Sequence, residues 1–178
     1  VNPATLRRDL ASLDITGTRG VGYNLKYLVF EIGGVLGLNQ DWPIVIVGVG
    51  NLGRALSNYA GLGERGFPVR AMVDVAADVV GTTVNGIVVE HLDDVAEIVA
   101  RERVTVAVLT TPPEAAQDTA DRLVSAGITS LLNFTAIPVV VSETVEVRRV
   151  DLATELQILS FYQQRANSAR GGIGVPIE

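Results

Sequence analysis

Residues 44–53 read IVIVGVGNLG, and their order decides the fold. Ile44 to Val47 are β-branched and apolar without alternation, the pattern of a short strand buried on both faces. Gly48-Val49-Gly50-Asn51-Leu52-Gly53 follows directly and has the spacing G-x-G-x-x-G. The next stretch, RALSNYA, reads as a helix. A strand that turns into a helix this way presents free N–H groups and a partial positive charge to a phosphate. Gly48 permits the tight turn, Gly50 lets the backbone approach a pyrophosphate, and Gly53 lets the helix lie close to the strand. The stretch VRAMVD is a second strand ending on Asp74, 21 positions after Gly53. A carboxylate there can accept hydrogen bonds from adenosine ribose hydroxyls and repel a 2′-phosphate, favouring NAD(H) over NADP(H). Glycines alone also punctuate strand–helix turns that bind nothing. Strand, turn, helix and acid together predict a dinucleotide site.

Downstream, strands alternate with helices. GIVV is a third strand, HLDDVAEIVARE is helical, and TVAVLTTP is a strand ending at Pro112. PEAAQDTADRLVSAG is a helix stopped by Gly127, followed by the strands ITSLLNF and VEVRRV. This alternation means a parallel α/β sheet of the Rossmann type. The final helix, DLATELQILSFYQQRA, carries one stripe of Leu152, Leu156 and Leu159 and a second of Ile158, Phe161 and Tyr162. Two apolar faces suit a helix held between two bodies. NSARGGIGVPIE reads as a flexible tail.

Upstream, Asn2-Pro3 opens a helix, with Asn as cap and Pro in the first turn. Leu6, Leu10 and Leu13 form its apolar stripe, and Arg7 and Arg8 lie off it. ITGTRGVGY reads as a hairpin with a flexible tip, and a second amphipathic helix runs from about Asn24 to Leu36, with Leu25, Leu28, Val29 and Ile32 inward. Residues 1–30 hold four basic against two acidic side chains, and the remainder ten against eighteen, within a net charge of −6. A basic head on an acidic body fits a nucleic-acid-facing segment, but so small an imbalance on its own fits a chance distribution better.

The chain has 178 residues, 48% hydrophobic and 19% charged, which supports a packed core. It has no Cys and one His, which excludes disulfides and thiolate sites and disfavours a metal centre. No apolar run reaches the roughly 18 residues of a membrane helix, and the start VNPATLRRDL has no signal-peptide core, so a cytoplasmic protein is expected. The absence of an initial Met fits a piece of a longer protein.

Two later strand ends should face the glycine turn: Thr110-Thr111-Pro112 and Asn133-Phe134-Thr135. The Thr hydroxyls could meet a ribose and Asn133 a nicotinamide, or both could simply end their strands. His91 reads as a capping or adenine-side residue and Trp42 as a packing anchor. No Tyr-x-x-x-Lys pair occurs, since Lys26 is the only lysine, and no substrate domain is visible. This is a nucleotide-binding module without evident catalytic chemistry.

Three stretches, LRRDLASL…GTRGVGYN, IVGVGNLGRALSNYAGL and VDLATELQIL, together resemble the Rex family of redox-sensing transcriptional repressors. The resemblance covers nearly the whole chain. It implies a winged-helix DNA-binding domain, of which residues 1–38 would be part, a Rossmann domain for NADH or NAD+ over 39–150, and a helix over 151–168 exchanged within a homodimer, with a tail over 169–178. It implies that residues 2–13 are the recognition helix, that Arg7 and Arg8 face double-stranded operator DNA, and that Arg19 lies in the wing. It places Tyr59 and Asp151 near the nicotinamide as a redox relay, and it implies release of DNA when NADH binds. The family usually reads Asn-Phe-Ala-Pro where this chain has Asn133-Phe134-Thr135-Ala136-Ile137-Pro138, so the adjoining pocket loop is expected to differ. Two other readings share the sheet: an NAD-dependent oxidoreductase domain, and a CoA-binding domain of the ligase type.

Overall fold

The computed structural model describes residues 2–18 and 20–170. Two helices lead: α1 (Pro3–Ala11) and α2 (Leu25–Val35). Then follow β1 (Ile44–Val47), α3 (Asn51–Ser57), α4 (Ala60–Gly63), β2 (Val69–Asp74), β3 (Thr83–Val84), β4 (Ile87–His91), α5 (Val95–Glu102), β5 (Val106–Leu109), α6 (Ala116–Ser125), β6 (Ser130–Asn133), β7 (Glu146–Arg149) and α7 (Leu152–Arg170).

The seven strands form one sheet in the order β3-β4-β2-β1-β5-β6-β7. Every pairing is parallel except that of β3 with β4. Without β3, the spatial order is that of a doubly wound dinucleotide-binding sheet, which reverses direction between β1 and β5. β1 is buried along its whole length and feeds two cores. Val45 and Val47 pack with Ile98, Leu123 and Leu131 on the face covered by α5 and α6. Ile44 and Ile46 pack with Val49, Met72 and Val108 on the other. An uninterrupted β-branched strand is what two covered faces require.

Several expectations need correction. The third strand extends beyond GIVV to His91 and is preceded by β3. Asn85 and Gly86 both have positive φ (49° and 79°), the geometry that a two-residue hairpin demands. The helix after the glycine turn starts at Asn51, which puts Gly53 inside it, and it breaks after Ser57. In α2, Leu28 and Ile32 are half-buried but Leu25 and Val29 are exposed, because among the described residues no other element covers that side. α1 ends at Ala11, short of the expected 13: Leu10 is buried, while Leu6 in the helix and Leu13 in the turn after it are exposed, and Asn2 caps the helix as expected, accepting from Ala4 N. The bridge Thr18–Gly22 closes the expected hairpin, whose Arg19 lies outside the described residues. α7 continues to Arg170, past the expected end at 168, and residues 171–178 lie outside the described residues.

The second sheet face is not fully covered. A groove of about 370 Å³ lies over Ile44, Leu62, Phe67, Val106, Val108 and Leu132. α7 is exposed throughout its described side chains, including Leu152, Leu156, Leu159, Phe161 and Tyr162.

Candidate functional site

The carboxyl ends of β1 and β5 diverge at the point where the sheet reverses, and the glycine turn stands there. Gly48 has φ +93°, and a Cβ on it would meet the Thr110 carbonyl and Thr111 nitrogen at 2.8–2.9 Å. A Cβ on Gly53 would overlap the Gly48 carbonyl oxygen. Both positions therefore need glycine for backbone and packing reasons. Gly50 differs: a Cβ there would meet no atom within 4 Å. Gly50 caps α3 without a side-chain hydrogen bond, so the turn through Asn51 and Leu52 opens onto free space.

Side chains hold the turn in shape. Asp74 accepts from Val49 N at 2.6 Å through Oδ2, and from Val75 N and Ala76 N at 2.7 and 2.9 Å through Oδ1. A carboxylate has about four acceptor sites, so roughly one remains for a ribose hydroxyl. Arg54 Nε donates to the Val49 carbonyl at 3.0 Å. Sequence reading missed Arg54, because a cation in the last turn of a short helix is where the dipole favours one in any case.

The strand ends divide into groups that brace and groups that are open. Thr110 Oγ1 lies 2.6 Å from the Gly48 carbonyl and 3.0 Å from that of Val47. Its single proton is spent inside the turn, so Thr110 positions the loop and is not free to donate to a ribose. Thr111 Oγ1 is buried with no hydrogen-bond partner. It lines a cavity of about 280 Å³ with Gly48, Asp74, Pro112, Asp118 and Arg122. Arg122 is held there by Asp93 at 2.7 Å and Asp118 at 3.0 Å. Sequence reading missed this wall, since Asp118 and Arg122 look like an ordinary i, i+4 surface pair.

Asn133 is 0% exposed, and its side-chain hydrogen bonds run within its own loop. Its Nδ2 donates to the Ile137 carbonyl at 2.9 Å, and its Oδ1 accepts from Thr135 N and Oγ1 at 2.8 and 2.7 Å. In the ligand-free protein Asn133 folds the 133–138 loop, and Thr135 supplies the hydroxyl that completes this fold. Phe134 packs into the second core. His91 caps the turn before α5, its Nδ1 accepting from Asp93 N at 3.2 Å, and Trp42 donates to the Gly37 carbonyl at 2.8 Å.

Tyr59 is exposed, with its ring over Gly61. Asp151 caps α7, accepting from Ala153 N, Thr154 N and Thr154 Oγ1, and it pairs with Arg149 Nη2 at 2.7 Å. Arg149, then Thr154, hold its carboxyl down at about 2. It is half-exposed here, not buried, because it sits at a helix start beside a surface arginine. Among the described residues no hydrogen bond joins Tyr59 to Asp151. Arg7 and Arg8 are exposed on α1. Also among the described residues, no three His, Cys, Asp or Glu side chains gather as a metal site, and no helix is long and apolar enough to cross a membrane.

The residues fit a dinucleotide. An orphaned hydroxyl, a spare carboxylate site and an open glycine face the same edge of the sheet.

A family model described as CoA binding domain matches residues 39–137. The redox-sensing transcriptional repressor Rex of Streptomyces griseus is 54% identical over 93% of this chain and 65% of its own length. The Rex of Streptomyces coelicolor is 49% identical over 99% of this chain and 70% of its own length. The chain belongs to the Rex family. It thus spans about two thirds of the length of these Streptomyces relatives. A Rex-family repressor, RSP, solved with β-NAD+ and operator DNA, superposes with a TM-score of 0.81 at 32% identity, covering 96% of this chain and 77% of that one. RSP with β-NADH superposes with a TM-score of 0.75 at 31% identity, covering 96% and 78%. The Rex relatives match through both helical flanks as well as the sheet, which the CoA-binding model does not reach.

Proposed function

We propose that the chain is the ligand-reading body of a cytoplasmic, non-enzymatic repressor that holds double-stranded operator DNA when NADH is scarce and releases it when NADH binds. The observation that carries this reading is the turn Gly48–Gly53 at the sheet's reversal, with Asp74 and the unpartnered Thr111 hydroxyl facing one cavity. Residues 39–150 form the nucleotide domain, with Val49 to Leu52 at the pyrophosphate and Thr111, Pro112 and Asp74 at the adenosine. Phe134 backs the nicotinamide side.

Residues 1–38 belong to a winged DNA-binding unit in which Arg7 and Arg8 contact operator phosphates and guanine edges, joined by Arg19 in the wing. The uncovered sheet groove and the exposed apolar stripes of α7 are complementary. A second copy's α7 fills the groove, making a homodimer in which Leu156 and Leu159 are buried.

Bound NADH presents a neutral nicotinamide ring where NAD+ presents a positive one. A carboxylate beside that ring feels the difference directly. Asp151 is the group that changes partner: it holds Arg149 and the α7 cap in one state, and the Tyr59 hydroxyl in the other. The ligand shifts this equilibrium only through its differential affinity for the two states.

Fluorescence titration with NADH, NADPH and CoA tests the site. Saturable binding of NADH, at least about tenfold tighter than that of NADPH or CoA, is expected from the Asp74 carboxylate. Preference for CoA would replace this reading with the CoA-binding one.

A further inference from the structure

Residues 134–145 join β6 to β7 without regular structure. Asn133 and Thr135 fold the start of this loop. Val139 and Val141 pack into the first core, while Val140 between them is exposed and contributes no burial. The Val140 backbone is nevertheless held firmly. Gln117 Oε1 accepts from Val140 N at 2.9 Å, and Gln117 Nε2 donates to the Val140 carbonyl at 2.8 Å. One side-chain amide thus pairs with both backbone groups of one residue, as a neighbouring strand would. The second hydrogen of Nε2 goes to Asp121 Oδ1 at 2.8 Å, which fixes which end of the amide is oxygen. Among the described residues, every hydrogen bond from 138–144 to another element runs through Gln117.

Gln117 stands on α6, between fully buried Ala116 and the cavity-lining Asp118. Thr119 and Arg122 of the same helix also line that cavity. At the other end, the loop runs into β7, an edge strand, and then into Asp151, which caps α7. The Val150 N–H donates to the Asn133 carbonyl at 2.8 Å, so the carboxyl ends of β6 and β7, where the loop leaves and Asp151 follows, are tied together.

We propose that Gln117 is the positioning residue through which occupancy of the cavity is felt at Asp151 and α7. The inference rests on the reading that the cavity takes the adenosine half of NADH. A ligand that reorders the cavity wall displaces α6, and the Gln117 amide carries the displacement to Val140. Packing alone would let the loop slide; two hydrogen bonds to the backbone of one residue do not. The physical warrant is a contiguous bonded connection, and it becomes a coupling only if breaking it uncouples the two ends.

The test is hydrogen exchange of the chain with and without saturating NADH, read at the cavity wall (110–122) and at the β7–α7 junction (144–154). In the parent, NADH slows exchange at both. In Gln117→Met, which keeps side-chain length and helix propensity but removes both bonds, NADH affinity stays within about threefold and the wall is still protected. Protection at the junction then changes less than about twofold on adding NADH, against about tenfold in the parent, the scale of one to two hydrogen bonds. Asp121→Ala leaves the pair in place but removes the third hydrogen bond that anchors the amide to α6, and gives an intermediate loss. This second variant decides the matter should Gln117→Met fold poorly. Variants that merely destabilise the loop would exchange faster there but keep the NADH-dependent difference, which would overturn the proposal. A parent that binds NADH with no change at 144–154 would overturn it too. A parent that does not bind NADH would instead overturn the reading of the site.

Discussion

Asp74 holds the amide N–H of Val49, 25 positions upstream, at 2.6 Å. The end of the second strand thereby shapes the glycine turn at the end of the first. Arg54 takes the carbonyl of the same residue, so both backbone groups of Val49 are fixed by side chains. The turn is pre-formed, and a ligand that enters it does not have to order it.

Asp74→Ala should therefore do two things at once. NADH affinity should fall by about 1.5–3 kcal/mol, the scale for hydrogen bonds to a charged group. The melting temperature should fall as well, because Val49 N, Val75 N and Ala76 N lose their acceptor. Titration and thermal melting read the two effects separately. Loss of affinity without loss of stability would show that the carboxylate serves the ligand alone.

Thr111→Val gives the opposite pairing of effects. Its hydroxyl is buried without a partner, so replacing it with a methyl removes an unsatisfied group from the ligand-free protein. Stability without ligand should stay level or rise, while NADH affinity falls by about 0.5–1.5 kcal/mol, one hydrogen bond. Unchanged affinity would mean that the hydroxyl meets no ligand atom.

The Asp151 cap sets a pH window. Its carboxyl is held at about 2, below the ordinary 3.8, first by Arg149 and then by Thr154. A depressed carboxyl contributes stability that is present above its unfolded value and is lost as pH falls through the folded value. The first turn of α7 should therefore remain capped down to about pH 4 and fray between that and about pH 2. A carbon-13 titration of the Asp151 carboxyl should have its midpoint near 2, and Arg149→Ala should move it back towards the ordinary value. A midpoint near 3.8 in the parent would contradict the pairing.

Leu156 and Leu159 are 66% and 63% exposed in the single chain. If they anchor the proposed homodimer, changing both to Glu should leave the fold of one subunit intact and break the dimer, at about 2 kcal/mol or more for each anchor. Light scattering should give a monomer. A dimer of unchanged stability would place the interface elsewhere.

Much of the sheet was legible because its signals are local. Unbroken Val and Ile in β1, Gly at fixed offsets and an acid at the end of β2 each have one physical reason to stand where they do. The Asn85-Gly86 pair was equally legible as a hairpin turn, yet reading only GIVV as a strand left β3 out. The roles of Thr110 and Asn133 were not legible. Position at a strand end says that a polar side chain faces the crevice edge, but not that a carbonyl already takes its proton. Gln117 was hidden for a related reason: its partner is the backbone of residue 140, which leaves no trace in side-chain pattern. Leu25 and Val29 of α2 read as inward because periodicity reports burial without saying against which body.

The central claim is that occupancy of the site at the β1–β5 divergence governs hold on DNA. The direct measurement is operator affinity of the protein carrying its complete winged unit, with NADH, with NAD+ and with neither, at one fixed salt concentration because phosphate contacts are salt-dependent. NADH should weaken operator binding by about 5–150-fold, the usual range of allosteric coupling, and NAD+ far less. Equal operator affinity in all three conditions, with NADH shown to be bound, would contradict it.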